Sequence, residues 1–245
     1  MQVLRVGREY LAGRRQKART ARLLIAGAGT AGVVALSAGL HPLVGVAFAI
    51  TVAPAVAKAQ RFLRRTTKGI RGETAVAELL RSLPDDYFLL NDVVLPGHPG
   101  NIDHVVVGPC GVLVIETKNF SGSFASHGNA WFVNGRRSRS ISKQANRGAI
   151  AVRETLSRLH PDLEGSVLRY VDSIAVFTNP SSRVRVDREK TIVARYSQLL
   201  DVILAIARRK RVPPAVAARL AESLINLVSN GGLVAAGGAR GGVRI

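Results

Sequence analysis

The chain of 245 residues predicts an α/β domain preceded by a hairpin of two membrane-spanning helices. Three observations carry this: a 35-residue stretch without charge at Leu23–Ala57, strongly basic segments on both sides of it, and a switch after Arg71 to alternating helical and strand-like patterns. The net charge of +19 and the 47% hydrophobic content are segregated along the chain. Residues 1–22 hold seven cations against one acid, and residues 58–71 hold six cations and no acid. A single cysteine, Cys110, excludes a disulfide framework and a cysteine-built zinc site, and suits a reducing compartment.

The apolar stretch is too long for a secretory signal. One straight helix of that length would run about 50 Å against a hydrocarbon core of about 30 Å. Gly39-Leu40-His41-Pro42 interrupts it, so two short spans, 23–40 and 43–57, fit better. Small residues (Gly27, Gly32, Gly39 facing Gly45, Ala49, Ala53) would let the two helices approach closely and lie against membrane lipid. Positive charge on both flanks places both ends in the cytoplasm and the protein at the cell membrane. A buried hairpin of a soluble protein is the alternative. The expected organisation is a basic segment (1–22), a two-span hairpin (23–57), a basic linker (58–71), an α/β domain (72–195), C-terminal helices (196–229) and a Gly-rich disordered tail (230–245).

Within the α/β domain, Val76, Leu79, Leu80 and Leu83 mark a helix over 72–83 that Pro84-Asp85-Asp86 ends. Tyr87 to Leu95 reads as a strand. Asn101 to Gly108 and Val112 to Asn119 read as two more, turning through Gly108-Pro109-Cys110-Gly111. Ala130 to Val133 is a hairpin strand ending at the Asn134-Gly135 turn signal. Ala145, Ala149, Val152, Leu156 and Leu159 stripe a helix over 142–159. Strands follow at 171–178 and 191–194, then helices at 197–209 and 213–229, the last opened by proline.

The chemistry concentrates in the central hairpin. A turn at 108–111 pairs Val107 with Val112 and, in register, sets Asp103 opposite Glu116, with Cβ atoms about 4.5–5.5 Å apart. Two carboxylates at that distance repel unless a positive charge lies between them. A divalent cation with oxygen ligands supplies one, and Lys118, on the same strand face as Glu116, supplies another. The alternative is a set of ordinary solvent-facing strand charges. Against it, Val105-Val106-Val107 and Val112-Leu113-Val114-Ile115 are near-continuous apolar runs, as in strands covered on both faces.

Asp103…Glu116-Thr117-Lys118 on a hairpin resembles the PD-(D/E)xK nuclease superfamily. Gly72-Glu73 opening a helix, Asn101 to Gly108 and Val114 to Gly122 are similar to the NERD (nuclease-related) domain, over roughly 68–180 and most closely over 101–122. The resemblance implies a restriction-endonuclease-like mixed sheet with flanking helices, and Mg²⁺- or Mn²⁺-dependent hydrolysis of nucleic-acid phosphodiesters, with DNA expected ahead of RNA. It implies Asp103 and Glu116 as metal ligands, Lys118 as the charge-stabilising or water-orienting group, and Glu73 and Gln144 as further catalytic residues. Glu73 continues the apolar stripe of its helix, but a first-turn acid is also a common helix preference. Gln144 lies at the edge of its helix's apolar face, where a contact to the site and plain exposure fit equally. Arg136, Arg137, Arg139, Lys143 and Arg147 form a dense basic group for phosphate contacts, or else a solvated loop. His104 falls on the sheet face opposite Asp103 and reads as packing or as a contact that supports the site from behind. A non-catalytic, membrane-tethered nucleic-acid-binding or scaffolding domain is the rival reading, and a metal-stabilised structural domain a third.

Overall fold

The computed structural model describes residues 2–5, 13, 16, 19–23, 25–28, 42–189 and 191–237. The chain divides into two compact units, Met1–Arg8 with Gly72–Ile245, and Glu9–Arg71. The described elements are β1 (Gln2–Arg5), α1 (Pro42–Leu80), β2 (Phe88–Val93), β3 (Ile102–Gly108), β4 (Gly111–Lys118), β5 (Gly122–His127), β6 (Ala130–Val133) and β7 (Arg136–Ser138). They continue with α2 (Ile141–Leu159), β8 (Asp172–Phe177), β9 (Ser182–Asp187), β10 (Ile192–Arg195), α3 (Leu199–Lys210) and α4 (Pro214–Gly237).

In the larger unit the main sheet runs β1-β2-β3-β4-β8-β10. Its β2-β3-β4 meander is antiparallel, while β1, β8 and β10 join in parallel. The mixed α/β architecture expected from the sequence is therefore present. The apolar runs of β3 and β4 are buried on both faces, as their lack of alternation requires. On one face Val105, Val107, Val112 and Val114 pack with Ala149, Val152 and Leu156 of α2 and Leu220 and Leu224 of α4. On the other, Val106, Leu113 and Ile115 pack with Val76 and Leu80 of α1 and Ile203 and Ile206 of α3. The Ser140 hydroxyl caps α2 by accepting from the Lys143 N–H at 3.1 Å.

A second sheet, β7-β6-β5-β9, follows the end of β4. Phe124 and Trp131 face a small core with Ile141, Ala175 and Phe177, and the Phe124 and Phe177 rings lie 4.9 Å apart. The turn into β7 takes its geometry from Asn134 and Gly135, with φ of 50° and 75°, as the Asn-Gly pair predicts.

Four expectations need correction. Residues 43–57 do not form a separate short span: they begin α1, which runs through the basic segment 58–71 to Leu80. Ala, Gln, Lys, Arg and Leu are strong helix formers, and here propensity outweighs the like charges of 58–71. Among the described residues no helix is long and apolar enough to cross a membrane. The uncharged part of α1, Pro42–Ala57, would measure about 24 Å against a hydrocarbon core of about 30 Å. The span expected at 23–40 falls largely on residues 29–41, outside the described residues, as does the turn residue His41.

The basic segment expected over residues 1–22 is not only a flank, since Gln2–Arg5 adds a parallel edge strand beside β2. The last helix continues to Gly237, into the stretch expected to be disordered; residues 238–245 lie outside the described residues. Finally, β5 and β9 form strands where the sequence pattern marked none.

Candidate active site

The β3–β4 register is the one expected from the turn: Val107 pairs with Val112, Val105 with Val114 and His104 with Ile115. One step further, the register sets Asp103 across from Glu116. The Asp103 carboxylate accepts the Thr117 backbone N–H at 2.8 Å, tying the ends of the two strands together. Burial, then Glu116, then Glu73 hold the Asp103 carboxyl well above the usual carboxylate range, against the opposing effects of the Thr117 N–H and Lys118. The carboxylates that the sequence set in one place therefore do interact.

Lys118 meets Glu116 at 2.5 Å, with only 13% and 9% of the two side chains exposed. The same ammonium donates to the Gln144 Oε1 at 3.0 Å, so Gln144 reaches the site from the first turn of α2 although the residue itself is exposed. Glu73 comes from α1 and is half-buried. Its approach depends on Gly72, where an added Cβ would meet the Asn119 Cβ at 2.7 Å, the Thr178 Oγ1 at 3.1 Å and the Thr117 Cγ2 at 3.2 Å. Only glycine lets the helix lie this close to the end of β4. The Gly72-Glu73 pair is thus a packing device followed by a site residue.

His104 occupies the opposite face, as expected. Its Nδ1 lies 2.6 Å from the Asn91 Oδ1, and burial pushes its imidazole down to about 3, so the ring is neutral and donates from Nδ1. The basic group does not act as one patch. Arg136 and Arg137 occupy β7, whose register with Val133 and Phe132 sends them to opposite faces, and Lys143 and Arg147 lie on the exposed side of α2. These four and Arg139 are all solvent-exposed.

Sequence reading missed a polar chain behind the site. The Trp131 Nε1 donates to the Ser142 Oγ at 2.8 Å, and the Ser142 hydroxyl donates to the Glu189 carboxylate at 2.5 Å. Beside it, the Asn146 Oδ1 accepts from Ser173 and Thr191. The available signal was Ser142 and Asn146, one turn apart on α2. Asp92, buried with a φ of 59° and bound by the Asn101 amide, was likewise passed over inside an apolar strand.

The site can hold a proton or a cation between acids, and can present an ammonium beside it. Among the described residues no three His, Cys, Asp or Glu side chains group closely enough to hold a metal ion. The candidate donors are thus Asp103 and Glu116. Two carboxylates suit a hard divalent ion that keeps several waters, and Asp103, whose ionisation is opposed by burial and neighbouring acids, is the group such an ion would relieve.

Residues 68–178 match the family model of the nuclease-related domain, NERD, which belongs to the PD-(D/E)xK-like nuclease superfamily. The resemblance read from the hairpin is borne out over that segment. An uncharacterized protein of Bacillus anthracis is 41% identical over 59 residues, covering 22% of this chain and 28% of that curated relative's length. No solved structure matches the chain significantly.

Proposed function

We propose that the protein is a metal-dependent nuclease that hydrolyses nucleic-acid phosphodiester bonds at this site. The observation that carries the reading is the convergence of Asp103, Glu116 and Lys118, with Asp103 held protonation-prone by burial and then by Glu116 and Glu73. Asp103 and Glu116 would hold Mg²⁺ or Mn²⁺, which when bound supplies charge neutralisation at the phosphate and a more acidic water. Lys118 presents its ammonium where charge grows on the phosphoryl oxygens, and Gln144 fixes its direction. Glu73 adds negative charge that acts on Asp103. Arg136, Arg137, Arg139, Lys143 and Arg147, which lie on separate faces, would each supply an individual phosphate contact, without reading sequence, rather than one joint patch.

The deciding experiment incubates the full chain with DNA and RNA, single- and double-stranded, at millimolar Mn²⁺ or Mg²⁺, with Glu116→Ala as control. Metal-dependent cleavage lost in the control is expected. Binding without cleavage in every condition would favour the non-catalytic tethered domain.

The same proposal places the protein at the cell membrane with this domain on the cytoplasmic side. Its support is sequence alone: the uncharged stretch 23–57 between two basic flanks. Recovery of the full chain in the soluble fraction after cell lysis would overturn that part and leave the nuclease reading intact.

A further inference from the structure

The second sheet has two unlike faces. Phe124, Trp131, Val133 and Val184 point inward with Ile141, Ala175 and Phe177. Side chains alternate along a strand, so the neighbour of the fully buried Trp131, Phe132, points outward. Phe132 remains half-exposed and joins none of the buried clusters.

The register then aligns one row across all four strands: Arg137 of β7, Phe132 of β6, Ala125 of β5 and Arg185 of β9. Arg183 shares the face, two residues along β9 and opposite Ser123. With strands about 4.8 Å apart, Arg137 stands about 5 Å from Phe132 on one side and Arg185 about 10 Å on the other. All three arginines are exposed, and none has an ion pair among the described residues. The acid on this face, Asp187, is taken by His127 at 2.7 Å. A lone exposed aromatic or a lone arginine would be ordinary surface. An aromatic on a flat sheet with guanidinium groups on both sides is a stacking surface with anion contacts around it.

From this arrangement we propose that the outer face of the second sheet is a platform for single-stranded nucleic acid, where Phe132 stacks an unpaired base and Arg137, Arg183 and Arg185 take the neighbouring phosphates. The inference rests on nucleic acid being the substrate and extends that reading to the strand state. A base inside a duplex is already stacked and out of reach of a ring on a flat sheet, whereas an unpaired base offers its face. Small Ala125 beside Phe132 leaves room for the base to lie flat. The platform also adjoins the site. The Thr178 N–H donates to the Lys118 carbonyl and the Ser182 hydroxyl to the Phe120 carbonyl, tying the near ends of β5 and β9 to the end of β4. Ala125 follows Lys118 by seven residues, within about 25 Å of fully extended chain. A strand held on the platform can therefore run toward Lys118 and the carboxylates.

The test measures affinity of the full chain, without divalent metal, for a fluorescent single-stranded oligonucleotide of mixed sequence and for its duplex, across a salt series. Single strand should bind tighter than duplex. Phe132→Leu keeps apolar bulk but removes the ring, and should weaken single-strand binding by about fivefold or more, while Phe132→Tyr retains it. Arg183→Ala with Arg185→Ala should lower the salt slope by about 1.4, at about 0.7 per lost phosphate contact, a change that Phe132→Leu should not produce. Melting curves of each variant check that the inner face is intact.

An unchanged affinity in Phe132→Leu with unchanged melting, or equal binding of duplex, overturns the platform. So does loss of sedimentation with phosphatidylserine vesicles in the arginine variant while oligonucleotide binding stays intact, which would assign the face to lipid. Measuring binding and cleavage side by side separates the two readings. Platform-dependent binding with no metal-dependent cleavage in wild type sinks the nuclease alone, and cleavage that is indifferent to Phe132→Leu sinks the platform alone.

Discussion

Replacing Gly72 with alanine sets two effects of known size against each other. In a helix, alanine is favoured over glycine by about 1 kcal/mol. For a unit of 150–250 residues that alone would raise Tm by about 2–4 °C. Against this, the new Cβ would sit 2.7 Å from the Asn119 Cβ, about 1 Å inside the optimum separation of two carbons, and close to Thr117 and Thr178 as well. The Asn119 Cβ is fixed to its backbone and cannot swing away, so α1 and the end of β4 must separate. Overpacking of this kind costs about 1–3 kcal/mol. The net expectation is a loss of up to about 2 kcal/mol, a fall in Tm of as much as about 8 °C. Displacing Glu73 by about 1 Å should reduce any metal-dependent cleavage far more steeply, on the order of a hundredfold. The assay is thermal unfolding beside cleavage rate for wild type and Gly72→Ala. A Tm that rises by a few degrees with cleavage unchanged would refute the reasoning, since helix propensity would then act alone.

Asp103 titrates above its unfolded value of 3.8, so the native state binds more protons and stability falls as pH rises from about 4 through the raised native value. Asp103→Asn keeps the acceptor for the Thr117 N–H, and in metal-free protein its Tm advantage over wild type should grow across that window and then level off. An advantage that stays flat with pH would mean that Asp103 is not the opposed acid. Lys118→Ala removes the ammonium from a nearly enclosed ion pair and should lower metal-free stability by about 3 kcal/mol or more, with Mn²⁺ restoring part of it while cleavage stays lost. Trp131→Phe keeps a ring near Phe177 but leaves the Ser142 hydroxyl, which donates to Glu189, without the indole donor; denaturant unfolding should show a loss of about 1–3 kcal/mol, and no change would make that chain dispensable.

Much of the site was legible because strand chemistry is local. The Gly108–Gly111 turn and the period of two decide which residues of β3 and β4 face each other, so Asp103, Glu116 and Lys118 could be set together by counting. The run of valines made burial of the hairpin legible too, since only a doubly covered strand dispenses with polar alternation. Helix stripes located α2, α3 and the start of α4 within a few residues, for the same reason of short-range periodicity, but not the end of α4.

What the tertiary structure decided depended on partners distant in sequence. Whether Gln144 reaches Lys118 is settled by how α2 packs on the sheet, not by its position on the helical stripe. Gly72 shows its purpose only against Asn119 and Thr178, far along the chain. The strands β5 and β9 carry little apolar signal because one of their faces meets solvent, and they become strands by pairing with each other in parallel. The row of Arg137, Phe132 and Arg185 likewise exists only through that pairing. Local pattern specifies which face a residue takes within its own element, while long-range packing specifies what that face meets.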